Sequence, residues 1–215
     1  DARDHPWLGE LARQRGALLR ELKARAGEGP WKASSLDYSP LCDAWRSITV
    51  MKHGRWAREL GFPGAEAVFR SLPGVRPDEV FFARLPPGAV LKPHSDGNNF
   101  LLTASLGLEL EEGSSVLSVG EQSRAWREGE ALVFDHSYVH SAANGSPGRD
   151  RYVLGCRFWH PGCSDEEAYT LSFMMTFLER LLQQGRVPAL YEDVWARVDR
   201  EADEPDDREQ DPSDV

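Results

Sequence analysis

Five short runs of β-forming residues lie in the middle of this chain and constrain its fold more than any other feature. The runs are EVFFARL (79–85), FLLTASLGLEL (100–110), SVLSVG (115–120), EALVFD (130–135) and RYVLGCRFW (151–159). Gly, Pro, Asn or Ser residues separate them, at intervals typical of an all-β sandwich or barrel. The pattern predicts a β-barrel or double-sheet jelly roll as the core of the protein.

Helical periodicity appears on both sides of this β-rich core. The segments that carry it are residues 6–26, 64–72, 165–184 and 188–200. The fold class predicted is therefore mainly β with flanking helices, in a single domain over residues 1–198. We divide that domain into a helical N-terminal part (1–75), a core (about 76–162) and C-terminal helices (163–198).

The net charge of −10 is concentrated in one place. Residues 199–215 carry nine acidic side chains against two arginines, which accounts for seven of the ten net negative charges. This segment has too little apolar surface to fold alone, so we interpret it as a solvated acidic tail. The remaining body is nearly neutral and has no basic stripe, which argues against a nucleic-acid partner.

Other global features exclude a membrane span and suggest a reducing compartment. No apolar run approaches the roughly 20 residues that a membrane helix needs. Three cysteines without a CxxC pair favour free thiols, and with them a cytoplasmic location. Because the chain starts at Asp1 rather than Met, we expect that its N-terminus has been trimmed.

The segment LKPHSDGNNF (91–100) contains a histidine and an aspartate two residues apart. In extended backbone, residues i and i+2 face the same side, so His94 and Asp96 can converge on one point. A third ligand then has to come from elsewhere, and His140 lies 46 residues after His94 at the end of DHSYVH. Two histidines and one carboxylate on one face leave three open positions, the arrangement used by non-haem iron(II) oxygenases.

His136 is the alternative to His140 as third ligand. It follows Asp135 directly in the turn, whereas His140 lies where the chain re-enters extended structure. We therefore favour His140.

With these motifs in place, the stretch 79–161 resembles the aspartyl/asparaginyl β-hydroxylase family of iron(II)- and 2-oxoglutarate-dependent dioxygenases. The matching segments are LPPGAVLKPHSD (85–96), SLGLEL (105–110), the stretch from Trp126 to His140, Arg151, and FWHP (158–161). The resemblance implies a double-stranded β-helix core of the jelly-roll or cupin-like type. It also implies that His94, Asp96 and His140 bind Fe(II).

By the same resemblance, Arg151 corresponds to the arginine that binds the distal carboxylate of the co-substrate 2-oxoglutarate. A guanidinium suits that role because it pairs bidentately with a carboxylate and is charged at physiological pH. The sequence departs from the family at Thr103 and Ser105, where vertebrate-type members carry an arginine and a histidine that hold the keto-acid end. We expect these two hydroxyls to line the co-substrate cavity. The candidate substrate-binding residues are Arg84, Asn98, Asn99 and Arg157.

The resemblance implies an oxidoreductase that uses O2 to hydroxylate, or otherwise oxidise, a C–H bond. A small molecule, an amino acid or a derivative, is the expected substrate, and a protein or peptide side chain is the alternative. Two further classes stay open. One is a zinc hydrolase, with Glu109 or Glu111 as general base, and the other is a non-catalytic cupin-like binding module.

Overall fold

The structure is a computed structural model that describes residues 4–27, 31, 42, 44–96 and 98–184. Its helices are α1 (Trp7–Arg13), α2 (Arg15–Arg25), α3 (Pro63–Ser71) and α4 (Asp165–Gln183), and a 3-10 turn spans Arg58–Leu60. Its first five strands are β1 (Arg46–Lys52), β2 (Arg55–Trp56), β3 (Pro77–Leu85), β4 (Val90–His94) and β5 (Leu101–Glu109). The other five are β6 (Ser115–Val119), β7 (Gln122–Ala125), β8 (Ala131–Phe134), β9 (His140–Asn144) and β10 (Arg151–Trp159).

The ten strands form two antiparallel sheets. The larger sheet has the order β2-β1-β3-β10-β5-β8, and the smaller has the order β4-β9-β6-β7. Apart from the consecutive pairs β1–β2 and β6–β7, strands that are neighbours in a sheet are not consecutive in the chain, as in a jelly roll. The predicted double-stranded β-helix is therefore confirmed.

One face of the six-stranded sheet packs against the N-terminal helices. Alternate residues of β10, such as Leu154 and Phe158, are buried in a cluster with Leu11, Leu18 and Leu22 from the helices. The carboxylate of Glu21 in α2 accepts hydrogen bonds from the first backbone amides of α3, at 2.7 and 2.8 Å. These bonds satisfy amides that have no partner within α3, so α2 also fixes where α3 begins.

The other face of the six-stranded sheet packs against the four-stranded sheet. Ala83 and Val153 from the larger sheet contact Leu117 and Ala142 from the smaller one, and Trp126 completes this second buried cluster. The space between the two sheets is thus filled at one end by apolar side chains. The polar residues of the candidate site lie toward the other end.

The elements differ from the predicted ones in three respects. Strands β4, β7 and β9 lie outside the five predicted runs. The helical stripe at 6–26 is divided into α1 and α2 at Gln14, where a turn replaces the continuous helix. Strands β1 and β2 come from the part predicted to be helical, yet they extend the larger sheet through pairing with β3. Periodicity within a short segment does not report such long-range pairing, which explains why these strands escaped assignment to the core.

The C-terminal part of the chain is a separate unit by its contacts. Residues 1–168 form one compact unit and residues 169–215 form another. Within the second unit the structure describes residues 169–184, which continue helix α4 as the periodicity predicts. The predicted helix at 188–200 and the acidic tail lie outside the described residues. In the described part of the chain, no helix has the length and hydropathy needed to cross a membrane.

Candidate metal centre

Two predicted ligands, His94 and His140, face each other across neighbouring strands. His94 is the last residue of β4 and His140 is the first residue of β9, and the two are Cα partners in the antiparallel pair. Directly opposed residues project to the same side of a sheet. Their imidazole rings accordingly lie 4.2 Å apart, centroid to centroid.

The third predicted ligand, Asp96, joins them from the loop after β4. Its backbone amide donates to the carbonyl of His136 at 3.0 Å, and the hydroxyl of Ser95 donates to the carbonyl of Ser137 at 2.8 Å. These two bonds hold the loop that carries Asp96 against the turn before His140. The ligand atoms of the three residues all lie within 4.8 Å of one another. The structure therefore brings together all three residues of the predicted set.

The hydrogen bonds of both histidines leave one nitrogen of each free for a metal. Nδ1 of His94 lies 2.7 Å from the carbonyl of Lys92, and Nδ1 of His140 lies 3.0 Å from the carbonyl of Tyr138. Because a carbonyl can only accept, each Nδ1 carries the proton, and each Nε2 has a free lone pair. Burial also lowers the pKa of His140, which favours the neutral imidazole that a metal requires. The donor set thus fits a divalent transition metal.

Arg151 is buried between the sheets with much of its hydrogen-bonding capacity unused. Its side chain is 2% exposed, and its guanidinium lies 4.4 Å above the ring of Trp126. Within the described part of the chain, Nε and Nη1 have no hydrogen-bond partner. Burial lowers the pKa of Arg151 to about 10, so it stays charged at neutral pH. A buried cation with free donors is suited to bind an anionic group.

Arg157 lies on the same strand and contacts one of the candidate metal ligands, Asp96, directly. It donates to the carboxylates of Asp96 and Glu79, at 2.6 and 2.8 Å. Burial by itself would lower the pKa of Arg157, but the two carboxylates outweigh that effect and raise it. Arg157 thus stays charged and is engaged with protein partners.

His136, the alternative third ligand, is not among the three clustered ligands and belongs to a separate hydrogen-bonded group. Its Nδ1 lies 2.8 Å from the hydroxyl of Thr103, and its Nε2 lies 3.2 Å from the side-chain oxygen of Asn98. Burial, reinforced by the charge of Arg157, lowers the pKa of His136 to about 4. We therefore describe His136 as a neutral polar residue that supports the site, with Thr103 and Asn98 as its partners.

The other predicted site residues are less close to the cluster. Ser105 is buried on β5, two residues from Thr103 and on the same face. Asn99 is exposed. Arg84 pairs with Asp150 at 2.9 Å and is a Cα partner of Tyr152, which packs toward the helices. The structure therefore does not bring Arg84 to the cluster.

Sequence reasoning missed the Glu79–Arg157 pair and the position of His136. Glu79 and Asp96 are 78 and 61 residues away from Arg157, so no local pattern connects them. The one signal available was Glu79, the acidic residue that begins the run 79–85. The register of β3 against β10 places it opposite Arg157.

A cavity of about 800 Å³ opens beside the cluster, between the free edges of β7 and β8. Its apolar lining includes Leu117, Val119, Leu132 and Phe134, with charged residues such as Arg124 also in the wall. One lining residue, Phe134, has its ring 5.3 Å from the ring of His140, so this wall of the cavity lies next to a candidate ligand. Its volume suits a small-molecule ligand.

These features define a jelly-roll protein with a candidate centre of two histidines and one carboxylate between its sheets. The chain belongs to the aspartyl/asparaginyl β-hydroxylase family, whose profile matches residues 14–161. This family assignment confirms the resemblance found from the motifs.

Curated relatives match parts of the chain. Aspartate beta-hydroxylase domain-containing protein 1 of Homo sapiens is 33% identical over 118 residues, which cover 52% of this chain and 30% of that protein. Aspartate beta-hydroxylase domain-containing protein 2 of Mus musculus is 33% identical over 92 residues, covering 42% of this chain and 26% of that protein. The match thus spans about a third or less of the length of these relatives. Ornithine lipid ester-linked acyl 2-hydroxylase of Rhizobium tropici is 27% identical over 171 residues, covering 75% of this chain and 60% of that protein.

Solved structures with similar architecture include a prolyl-4-hydroxylase from Pseudomonas putida. That similarity has a TM-score of 0.48 at 19% identity and covers 69% of this chain and 88% of that chain. A predicted oxalate decarboxylase from Thermotoga maritima has a TM-score of 0.37 at 15% identity, covering 54% of this chain and 81% of that chain.

Proposed function

We propose that the chain is an Fe(II)- and 2-oxoglutarate-dependent oxygenase that hydroxylates a C–H bond of a small substrate. The observation that carries the proposal is the convergence of His94, Asp96 and His140, with ligand atoms within 4.8 Å of one another. Two imidazoles and a carboxylate are the donor set of non-haem Fe(II) oxygenases. Membership of a hydroxylase family supports the same chemistry.

The protein residues have separate roles in this proposal. Bound iron, together with 2-oxoglutarate and O2, supplies the oxidising power for the reaction. His94, Asp96 and His140 would hold the iron, and the co-substrate and O2 would use the positions that these residues leave open. The backbone bonds from Nδ1 of His94 and of His140 hold both rings in the tautomer that coordinates through Nε2.

Arg151 is the proposed anchor for the distal carboxylate of 2-oxoglutarate. Its free Nε and Nη1 provide donors for a carboxylate. Such a carboxylate would also relieve the cost of burying an unpaired cation between the sheets. Thr103 and Ser105 are buried on the neighbouring part of β5, and we propose that they line the same cavity.

The proposed substrate is a small molecule, an amino acid or a derivative. The cavity between β7 and β8 has the volume for such a ligand and extends to the ring of Phe134 beside His140. Asn98, Asn99 and Arg157 stay candidate substrate contacts. For Asn98 and Arg157 that role has to coexist with their bonds to His136 and to the two carboxylates.

A second candidate substrate is a lipid acyl chain. The Rhizobium relative, whose match covers 75% of this chain, is named as an acyl 2-hydroxylase. The apolar lining of the cavity by Leu117, Val119, Leu132 and Phe134 is compatible with an alkyl chain.

The hydrolase alternative has less support. Glu109 pairs with Lys23, and Glu111 accepts a hydrogen bond from Ser146. Ser146 follows the end of β9 that is opposite to His140. Neither glutamate is therefore placed to activate a water at the cluster.

The test is 2-oxoglutarate turnover by the purified protein with Fe(II) and O2. We expect succinate formation in the wild type and its loss in His94→Ala. A screen of amino acids and acylated amino acids for an O2-dependent gain of one oxygen then identifies the substrate class. A protein that retains zinc, and neither binds nor converts 2-oxoglutarate, would refute the proposal.

A further inference from the structure

The carboxylate of Asp96 is held by the guanidinium of Arg157. Nη2 of Arg157 donates to Oδ2 of Asp96 at 2.6 Å, and Nη1 donates to Oε2 of Glu79 at 2.8 Å. Arg157 and Glu79 are Cα partners across β10 and β3, so the register of the larger sheet places them side by side. Asp96 follows β4 of the smaller sheet. The guanidinium therefore links the two sheets at the candidate metal centre.

This contact divides the two oxygens of the Asp96 carboxylate between two partners. Oδ2 accepts from Arg157, whereas Oδ1 lies 3.7 Å from Nε2 of His94. A carboxylate held in this way presents a single oxygen to a metal, in an orientation that the guanidinium fixes. Without that contact, the carboxylate could rotate about its side-chain bonds and lose its alignment with the imidazoles.

The charge of Glu79 allows the Arg157 guanidinium to lie beside the candidate metal ligand Asp96. An isolated positive charge at that position would repel a divalent cation. Glu79 supplies a compensating negative charge, and its side chain is only 15% exposed, so solvent screens the pair weakly. The guanidinium also lies 5.8 Å from the ring centroid of Phe81, which limits its movement on that side.

We propose that Arg157, held by Glu79, is a positioning residue that fixes Asp96 as a one-oxygen metal ligand and so sets the metal affinity of the centre. The inference depends on the proposed function only to the extent that the cluster binds a divalent metal. It assigns Arg157 a role in metal binding that does not require contact with the substrate.

The test is a titration of the metal-free protein with Mn(II), with free Mn(II) followed by electron paramagnetic resonance. We expect Arg157→Gln to bind Mn(II) about 10- to 100-fold more weakly than the wild type, the range for loss of a residue that orients a ligand. Arg157→Lys should fall between the two, because an ammonium group lacks the planar fork that pairs with both carboxylates at once. His94→Ala should abolish binding.

Arg15→Gln is the matched control. The side chain of Arg15 is 29% exposed, against 26% for Arg157, and it also pairs with a glutamate, Glu128. Its partners lie on the helix-covered side of the larger sheet. Removing it breaks an ion pair that does not involve the candidate metal ligands, so it should leave Mn(II) affinity unchanged. Urea unfolding of both metal-free variants measures how much stability each has lost, so that a general loss of stability is distinguished from a specific loss of Mn(II) affinity.

Glu79→Gln separates positioning from a general electrostatic effect. If Glu79 acts through Arg157, Glu79→Gln weakens Mn(II) binding on its own but adds less than about twofold to the loss in Arg157→Gln, as expected for coupled residues. Should Arg157→Gln fail to fold, Arg157→Lys and Glu79→Gln provide the same comparison.

The outcomes distinguish this inference from the proposed function. Mn(II) affinity in the Arg157 and Glu79 variants equal to that of the wild type, or higher, would overturn the positioning role while the centre itself stands. If the wild type does not bind Mn(II), or if His94→Ala binds it equally well, the metal centre and the proposed function both fail.

Discussion

Two arginines on strand β10, one buried and one partly buried, are predicted to respond in opposite directions to the same substitution. Arg151 and Arg157 are six residues apart on one face of the strand. Nε and Nη1 of Arg151 have no hydrogen-bond partner in the described part of the chain, whereas Arg157 pairs with Glu79 and Asp96. Arg151→Met should therefore stabilise the protein in the absence of ligand, and Arg157→Met should destabilise it.

The magnitude for Arg151 follows from the cost of its burial. Burial lowers its pKa to about 10 from an ordinary value above 12, which corresponds to about 3 kcal/mol against the charged form. The contact with Trp126, 4.4 Å from the guanidinium, offsets up to about 2 kcal/mol of this cost. Methionine fills a similar volume without a charge. The free energy of unfolding should thus rise by about 1 kcal/mol in Arg151→Met.

The magnitude for Arg157 follows from the carboxylates that its removal leaves behind. Asp96 and Glu79 are 17% and 15% exposed, so each would be a mostly buried anion without its partner. Breaking a fully buried ion pair costs about 3–5 kcal/mol, and partial exposure reduces this. We expect the free energy of unfolding to fall by about 2 kcal/mol in Arg157→Met.

Urea denaturation followed by circular dichroism measures both changes. Because the pKa of Arg151 is about 10 in the folded state, the stabilisation by Arg151→Met should stay constant between pH 6 and 9. It should shrink only as the pH rises through about 10, where the wild type loses the buried charge. When Mn(II) is present and 2-oxoglutarate is added at a hundred times its dissociation constant, the free energy of unfolding of the wild type should rise by about 3 kcal/mol. The corresponding rise in Arg151→Met should be much smaller.

A loss of stability in ligand-free Arg151→Met would refute this reasoning. It would mean that the guanidinium is compensated within the protein and is not held ready for an anionic ligand. Equal stabilisation of wild type and variant by 2-oxoglutarate would remove Arg151 as the anchor.

Two further predictions concern the packing around the site. An added Cβ at Gly155 would lie 2.2 Å from the ring of Phe81, so Gly155→Ala should lower the free energy of unfolding by about 2 kcal/mol, measured by urea denaturation. Gly148→Ala, where a Cβ meets nothing within 4 Å, is the control, and equal effects would contradict the packing argument. Burial raises the pKa of the Cys156 thiol, so alkylation of the native protein with peptide mapping should modify Cys163 well before Cys156. Similar rates would show that β10 opens readily.

Much of the core and of the candidate centre could be predicted from sequence because the signals are local. Alternation of apolar residues marked β3, β5 and β10 correctly, and the spacing of His94 and Asp96 placed two ligands on one side of extended backbone. The preference for His140 over His136 also rested on a local feature, the return to extended structure that begins β9. The structure brings the preferred residue into the cluster and pairs His136 with Thr103 instead.

Other features depended on pairings between distant segments. Strands β1 and β2 joined the larger sheet although they lie in the part predicted to be helical. Arg84 was a candidate substrate contact, but alternation along β3 places it with Asp150 and Tyr152 instead. Which face an arginine occupies depends on strand register, because a shift of one residue reverses every side chain.

The sequence by itself determined which residues could bind a metal, because residue chemistry and short spacings are properties of the chain alone. Only the tertiary structure decided which hydrogen-bond partners those residues have and how far their charges are buried. The register of β3 against β10 pairs Glu79 with Arg157, and the approach of the two sheets brings Arg157 to Asp96. The same packing leaves Arg151 buried with free donors. The physical reason is that hydrogen bonds and burial depend on distances between segments that lie many residues apart.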